Sequence, residues 1–298
     1  MKDRLLLLTA TFFWGCAFVA QKVSTGSMGA FSFNAVRFLI GFIGLYPVAW
    51  WLNRRPVSFT EKPPHWLTQT VACAILGFIL FGGASLQQLG LFYTTAGKAG
   101  FITALYIIVV PLMGLFLYNP LRLNHVIGCF LALTGLYFLA YHSDGSPFNM
   151  GDLLVLVGVV FWTLHILVID RFVHYYRGVN LALGQFLFCS LYNFIALFLA
   201  GENLTLNGIL AAAIPLLYCG LLSSSVAYTL QIVGQEHVPP TEASLLLSTE
   251  MIWSALAGFV LLDESMSSRE FLGCLLMSAG IYLAQIPSRI LFKSKEKR

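Results

Sequence analysis

The residues of this chain that can do chemistry are few, and most stand alone inside apolar runs. Glu250 lies near the middle of the run 242–262. Trp253 and Ser254 follow it at i+3 and i+4, so a helix would put acid, indole and hydroxyl close together. A charge at the centre of a bilayer costs about 2.5–3.5 kcal/mol on insertion scales, so it needs a partner, a wet cavity or a proton. Two readings of Glu250 follow. It lines a cavity and binds a cationic group or a proton, or it is a neutral buried acid bonded to a neighbouring helix.

His165 comes one turn after Trp162 in the run 152–170. Imidazole changes charge near neutral pH, so His165 is a cavity wall and proton partner of Glu250, or else a satisfied packing residue. Arg37 stands about six residues inside the run 31–52. It either snorkels or bonds neighbouring carbonyls, or it meets an anionic cargo. Gln87, Gln231, Tyr228 and Ser223–Ser225 are further polar groups within the apolar runs. Lining a cavity and bonding between helices both suit them. Trp14 and Trp162 offer aromatic walls or simple packing. The substrate-binding set is therefore Trp14, Gln87, Tyr106, Trp162, His165, Tyr228, Gln231, Glu250 and Trp253, with Glu250 and Arg37 as coupling residues. No catalytic set or metal site is expected.

These groups must be positioned by elements that live in lipid. Hydrophobic residues make up 58% and charged residues 10% of the 298 positions. Soluble domains hold about 45–50% and about 25%. So much apolar surface cannot hide in one soluble core, and an all-α integral membrane protein is the class that fits. The net charge of +4 is then a matter of orientation, not of nucleic acid. The six cysteines each lie in apolar stretches without metal-ligand spacing, and free thiols are expected. No cofactor is implied, and the absence of an ATP-binding motif argues against primary pumping.

A spanning helix needs about 20 mostly apolar residues. Ten runs qualify, near 4–22, 31–52, 67–93, 97–118, 122–141, 152–170, 181–200, 209–234, 242–262 and 268–287. Asp144–Pro147 is the longest polar break and falls midway. Thr241 reads as an N-cap of the ninth run and Ser267-x-x-Glu270 as a capping box of the tenth, which Pro287 closes. The first run is too long for a signal h-region, and Phe18 stands where a cleavage site needs a small residue, so the run is expected to be retained. With the N-terminus in the cytoplasm, 13 of the 17 basic residues fall on that side, including the tail 289–298. A multi-pass protein of a cytoplasmic (inner) cell membrane with both termini inside is expected.

The middle of the chain is written twice. Leu86, Gln87 and Gly90 recur as Leu230, Gln231 and Gly234, at an offset of 144 residues. The register holds through Ala99/Ala243, Ile108/Ile252, Leu112/Leu256 and Gly114/Gly258, and it places Tyr106 opposite Glu250. One extra residue then enters, and at an offset of 145 Gly128, Cys129, Gly135 and Tyr137 recur as Gly273, Cys274, Gly280 and Tyr282. This implies an internal duplication. The units are a first repeat 1–141, a linker 142–151, a second repeat 152–288 and a basic tail 289–298. Five spans per repeat is an odd number, so the second copy must enter the membrane from the opposite face. Ten transmembrane helices as two inverted five-helix repeats is the expected fold. The glycine pairs, seven residues apart, mark the fifth and tenth spans as packing elements. Pro111 and Pro215 free backbone carbonyls and mark bends.

The order of these features resembles the drug/metabolite transporter superfamily, in its ten-helix form with two EamA repeats. The residues that carry the resemblance are Phe13-Trp14-Gly15, Arg37-Phe38, Thr95-x-x-x-Ala99 leading to Pro111, Glu250, Leu262-Asp263-Glu264 and Gly273–Gly280-Ile281-Tyr282. The chain departs at Asn119-Pro120, where the first repeat often has an acid like Glu264, and at Ala255, where the second often has proline. The resemblance implies a helical bundle around a central cavity and export of small organic molecules. Inverted halves provide the logic of alternating access. A secondary transporter of a small metabolite or drug-like molecule, with a proton coupled through Glu250, is the leading expectation. A lipid-modifying enzyme using Glu250 and His165, or a uniporter for uptake, is the alternative. The expected partners are the cargo, the bilayer and a coupling proton, in a monomer or homodimer.

Overall fold

The computed structural model describes residues 1–54, 61–114, 123–140 and 149–285. Every regular element among them is helical. The order is α1 (Lys2–Ser24), α2 (Ala30–Asn53), α3 (Gln69–Gly90), α4 (Ala96–Thr103), α5 (Tyr106–Gly114), α6 (Leu123–Ala140), α7 (Met150–Phe172) and α8 (Gly178–Ala200). Then follow α9 (Leu206–Ala211), α10 (Ala213–Leu217), a π-helical stretch (Tyr218–Tyr228), α11 (Thr229–Gln235), α12 (Pro240–Leu247), α13 (Glu250–Leu262) and α14 (Ser268–Gln285). Asn119-Pro120, the Asp144–Pro147 break, Pro287 and the basic tail lie outside the described residues.

Eight segments among these residues are long and apolar enough to cross a membrane: 2–24, 30–53, 69–90, 96–113, 150–172, 178–200, 213–235 and 240–262. Polarity is distributed inside-out. Phe198 and Ile214 are each 82% exposed, while Asn34, Gln88, Thr163, Gln185 and Asn193 are fully buried. A water-soluble fold would reverse this, because apolar area leaving water is its driving force. An apolar rim around a polar interior is what a bilayer solvent selects.

Helix α1 packs on α13, the π-helical stretch and α11, while α2 packs on α8 and the π-helical stretch. Helix α3 lies between α7 and α8, and α4 bridges α13 and α7. Helices α6 and α14 form the most extensive pair. A Cβ on Gly135 would come 2.6 Å from the Gly273 oxygen, and one on Gly280 would come 2.5 Å from the Gly128 oxygen. The two helices therefore run antiparallel with their backbones in contact, which only glycine permits there.

Three spans are interrupted. Pro215 lacks an N–H and crowds the turn before it, which ends α9 at Ala211 and tilts Ala212 out of helical geometry. The second interruption separates α4 from α5. Leu105, Ile107 and Ile108 donate to Ile102, Ala104 and Leu105, each a tightened i to i−3 bond. The third separates α12 from α13, where Thr249, Met251 and Ile252 donate to Leu246, Ser248 and Thr249. The same three bonds recur at the repeat offset. Pro111 stands inside α5, but Ala255 holds the matching place in α13, so proline does not explain a break both copies share.

The capping box of α14 forms as expected. The Glu270 carboxylate accepts from Ser267 N and Oγ at 2.8 and 2.9 Å, and Ser267 Oγ accepts from Glu270 N at 3.2 Å. The expected Thr241 cap does not form. Helix α12 begins two residues earlier than that cap requires, with Pro240 in the first turn, where a missing N–H costs nothing.

Candidate functional site

Many of the interior polar groups converge on one cavity at the centre of the bundle, with about 470 Å³ of empty space counting its opening to solvent. Helix α1 contributes Trp14, Ala17, Phe18 and Gln21, one face at i, i+3, i+4 and i+7. Arg37 enters from α2, Gln87 from α3 and Gln231 from α11. Trp162, His165 and Ile166 enter from α7, and Ser223 and Tyr228 from the π-helical stretch. Thr103, Tyr106, Leu247 and Glu250 come from the two interrupted spans around their breaks.

Glu250 is the first residue of α13 and Tyr106 the first of α5. The breaks thus deliver two equivalent residues to the cavity, each at the start of a half-helix. An acid in a first turn faces the positive end of the helix dipole. The Tyr106 hydroxyl lies by the Glu250 carboxyl without forming a well-aligned bond to it. Glu250 is 4% exposed and makes no ion pair among the described residues.

Aromatic rings gather around Tyr228. Its ring centroid is 4.7 Å from that of Trp14 and 6.4 Å from that of Trp162, the latter stacked at 24°. His165 meets it edge-on at 5.9 Å, and Phe38 and Phe186 complete the cluster. The Trp14 indole donates to the Ser223 carbonyl at 3.1 Å, a bond between α1 and the π-helical stretch. Arg37 donates from Nε to Asn34 Oδ1 at 2.8 Å, with its guanidinium carbon 4.5 Å from the Phe38 ring centre. It is 2% exposed, so it does not snorkel.

Gln87 does both things expected of the glutamines, while Gln231 lines the cavity but bonds within its own helix. Gln87 lines the cavity and donates to Gln21 Oε1 at 3.1 Å, and Gln231 lines it and donates to Gln235 Oε1 at 3.0 Å. His165 lines the cavity, but its Nε2 pairs with Gln185 Oε1 at 2.9 Å on α8, not with Glu250.

Trp253 stands outside the cavity. It is 36% exposed, and its ring meets Phe12 at 5.2 Å on the outer face of α1. Residues at i+3 and i+4 sit on opposite flanks of residue i. With Glu250 pointing inward, Trp253 falls on the outward flank, and Ser254 falls on the flank against Gly100 of α4. Gln21 and Thr103, with the apolar Ala17, Phe18, Ile166 and Leu247, complete the lining without having been assigned to a site from the sequence. Gln21 stands seven residues after Trp14 on one face, a spacing that points to it, at the far end of the run 4–22 that marked the span.

An all-helical bundle with an inside-out polarity and a central cavity fits a multi-pass membrane protein. The chain belongs to the EamA-like transporter family, whose profile matches residues 2–141 and again 149–285. It is 26% identical to an uncharacterized transporter of Archaeoglobus fulgidus over 94% of this chain and 84% of that one. A WAT1-related chloroplastic protein of Arabidopsis thaliana is 25% identical over 95% of this chain and 69% of the relative. The uncharacterized transporter YoaV of Bacillus subtilis is 22% identical over 95% and 96%. A crystal structure superposes with a TM-score of 0.72 at 20% identity, covering 99% of this chain and 98% of the other, which shows the shared fold.

Proposed function

We propose that this chain is a secondary carrier that exports a small organic molecule by alternating access, with Glu250 as the proton-coupling group. In this reading α6 and α14 are the fifth and tenth spans, and the two halves enter the membrane from opposite faces. The observation that carries it is the equivalence of the two interrupted spans. The tightened turn before Tyr106 recurs before Glu250, bond for bond, and the cavity lies between them. Contacts support it in the same way. The pairing of α3 with α7 and α8 is mirrored by that of the π-helical stretch with α1 and α2. Broken helices at a repeat interface are where carriers place their sites. Substrate contacts are assigned to Trp14, Gln87, Tyr106, Trp162, His165, Tyr228, Gln231 and Glu250.

The competing reading is a membrane enzyme with Glu250 and His165 as an acid and base. His165 Nε2 is engaged by Gln185, and no hydrogen bond joins His165 to Glu250 among the described residues. Flux into sealed proteoliposomes, with and without a pH gradient, separates the readings. Wild-type protein is expected to accelerate uptake when a gradient is imposed. Glu250→Gln is expected to abolish the acceleration while saturable counterflow persists. An unchanged gradient dependence would remove the coupling role, and product formation in detergent would favour the enzyme.

A further inference from the structure

We propose that the cargo has a carboxylate head and a planar apolar body, with the head docked on Arg37 and the body against Trp14, Trp162 and Tyr228. This names the substrate class of the cavity above, and it rests on the carrier reading.

Arg37 carries the inference. A guanidinium keeps its charge at any accessible pH. This one is buried in the bundle, faces the cavity, and has no acid within ion-pair distance among the described residues. Its one bond to a strong acceptor uses Nε, to Asn34 of its own helix. The Phe33 and Phe38 rings stabilise it in part, at 5.7 and 4.5 Å. The Cys219 thiol beside it is a weak acceptor. The two terminal nitrogens, the fork that matches a carboxylate in two parallel bonds, are left with no strong acceptor. A buried charge without a counterion is costly, and a neutral or cationic cargo would leave it so. Glu250 shares the cavity without supplying the counterion, and the Tyr228 ring lies within electrostatic reach of both.

The surroundings specify the rest of the cargo. The guanidinium sits over Phe38, Phe38 neighbours Tyr228, and Tyr228 stacks on Trp162. A molecule held by its head at Arg37 therefore lays its body on an aromatic wall. Among the described residues the lining holds four further buried atoms without a partner: the Thr103 and Tyr106 hydroxyls, and the pair Trp162 Nε1, a donor, and Gln231 Oε1, an acceptor. An amide within the body would satisfy that pair.

The probes are hippurate, its neutral amide hippuramide, and the cationic N-(2-aminoethyl)benzamide, which share one benzamide body. Binding to detergent-purified protein at neutral pH is expected to favour hippurate over hippuramide by roughly tenfold or more, with the cation weakest. Arg37→Gln is expected to erase the preference. Arg37→Lys is expected to keep part of it, since a point charge lacks the fork. Hippuramide or the cation binding as well as hippurate in wild type would overturn the proposal, as would binding of none of the three. The wild-type comparison stands even where a variant fails to fold. Counterflow of bound hippurate in sealed vesicles tests the carrier reading separately. Selective binding without counterflow would sink the carrier and keep the Arg37 site.

Discussion

Trp162 and Trp253 each stand three residues from a titratable neighbour in an apolar run, and in the sequence they look interchangeable. The bundle separates them. Trp162 stacks on Tyr228 at the cavity wall, and Trp253 meets Phe12 on the outer face. Sequence spacing places a residue on a helix but not on the side of it that faces the cavity, because that depends on how the helix is rotated against its neighbours. Arg37, Glu250 and both glutamines were legible for a stronger reason: a polar group in lipid has nowhere else to go. Trp162→Ala is expected to raise the transport KM about tenfold, since the lost ring contact and buried area are worth about 1–2 kcal/mol. Trp253→Ala is expected to leave KM within about twofold. Initial-rate uptake of a transported probe at varied concentration measures both. Equal effects would mean that the aromatic wall at Tyr228 does not touch cargo.

At the scale of elements, the limits of the runs were legible to within a few residues, while their interruptions were not. An apolar run carries little sign of a single tightened turn, and the one visible sign, Pro111, points to a bend that recurs where no proline stands. In the second copy Ser248 and Thr249 donate their hydroxyls back to Leu245 and Leu246, which competes with the regular backbone ladder. Ala104 and Leu105 offer no such bonds in the first. What both breaks share is a tie at one end to another element. The Glu264 carboxylate, just past α13, accepts from Ala96 N at 2.8 Å and Gly97 N at 3.1 Å, which fixes the start of α4. At the start of α12, Arg4 of α1 pairs with Glu242. The Glu264 link is a cap supplied from a neighbouring helix, and caps are worth about 0.5–2 kcal/mol. Glu264→Gln keeps one acceptor and loses the charge, and is expected to lower the thermal midpoint in detergent by about 2–4 °C. Glu264→Ala is expected to lower it further. No shift in either variant, followed by intrinsic tryptophan fluorescence, would show that the link does not hold α4 in place.

Over the whole molecule, two halves with opposed topology demand that equivalent loops lie on opposite sides of the membrane. Tyr93, between α3 and α4, and His237, between α11 and α12, are equivalent at the offset of 144 residues. Both are open to reagent, Tyr93 at 63% exposed and the His237 side chain at 70%. The proposed orientation, argued from the distribution of basic residues, has His237 on the cytoplasmic side and Tyr93 on the outer side. The antiparallel pairing of α6 with α14 is what a twofold axis in the membrane plane would produce for equivalent helices. The thiols native to the described residues are buried or half-buried, which keeps their reaction slow beside that of a new surface cysteine. Tyr93→Cys in intact cells is expected to react with a membrane-impermeant maleimide, while His237→Cys reacts only in inverted vesicles. The proposed reading, with five spans per copy, allows no other arrangement. If both cysteines react from the same face, the halves are not inverted, and a carrier that alternates by exchanging their conformations is ruled out with them.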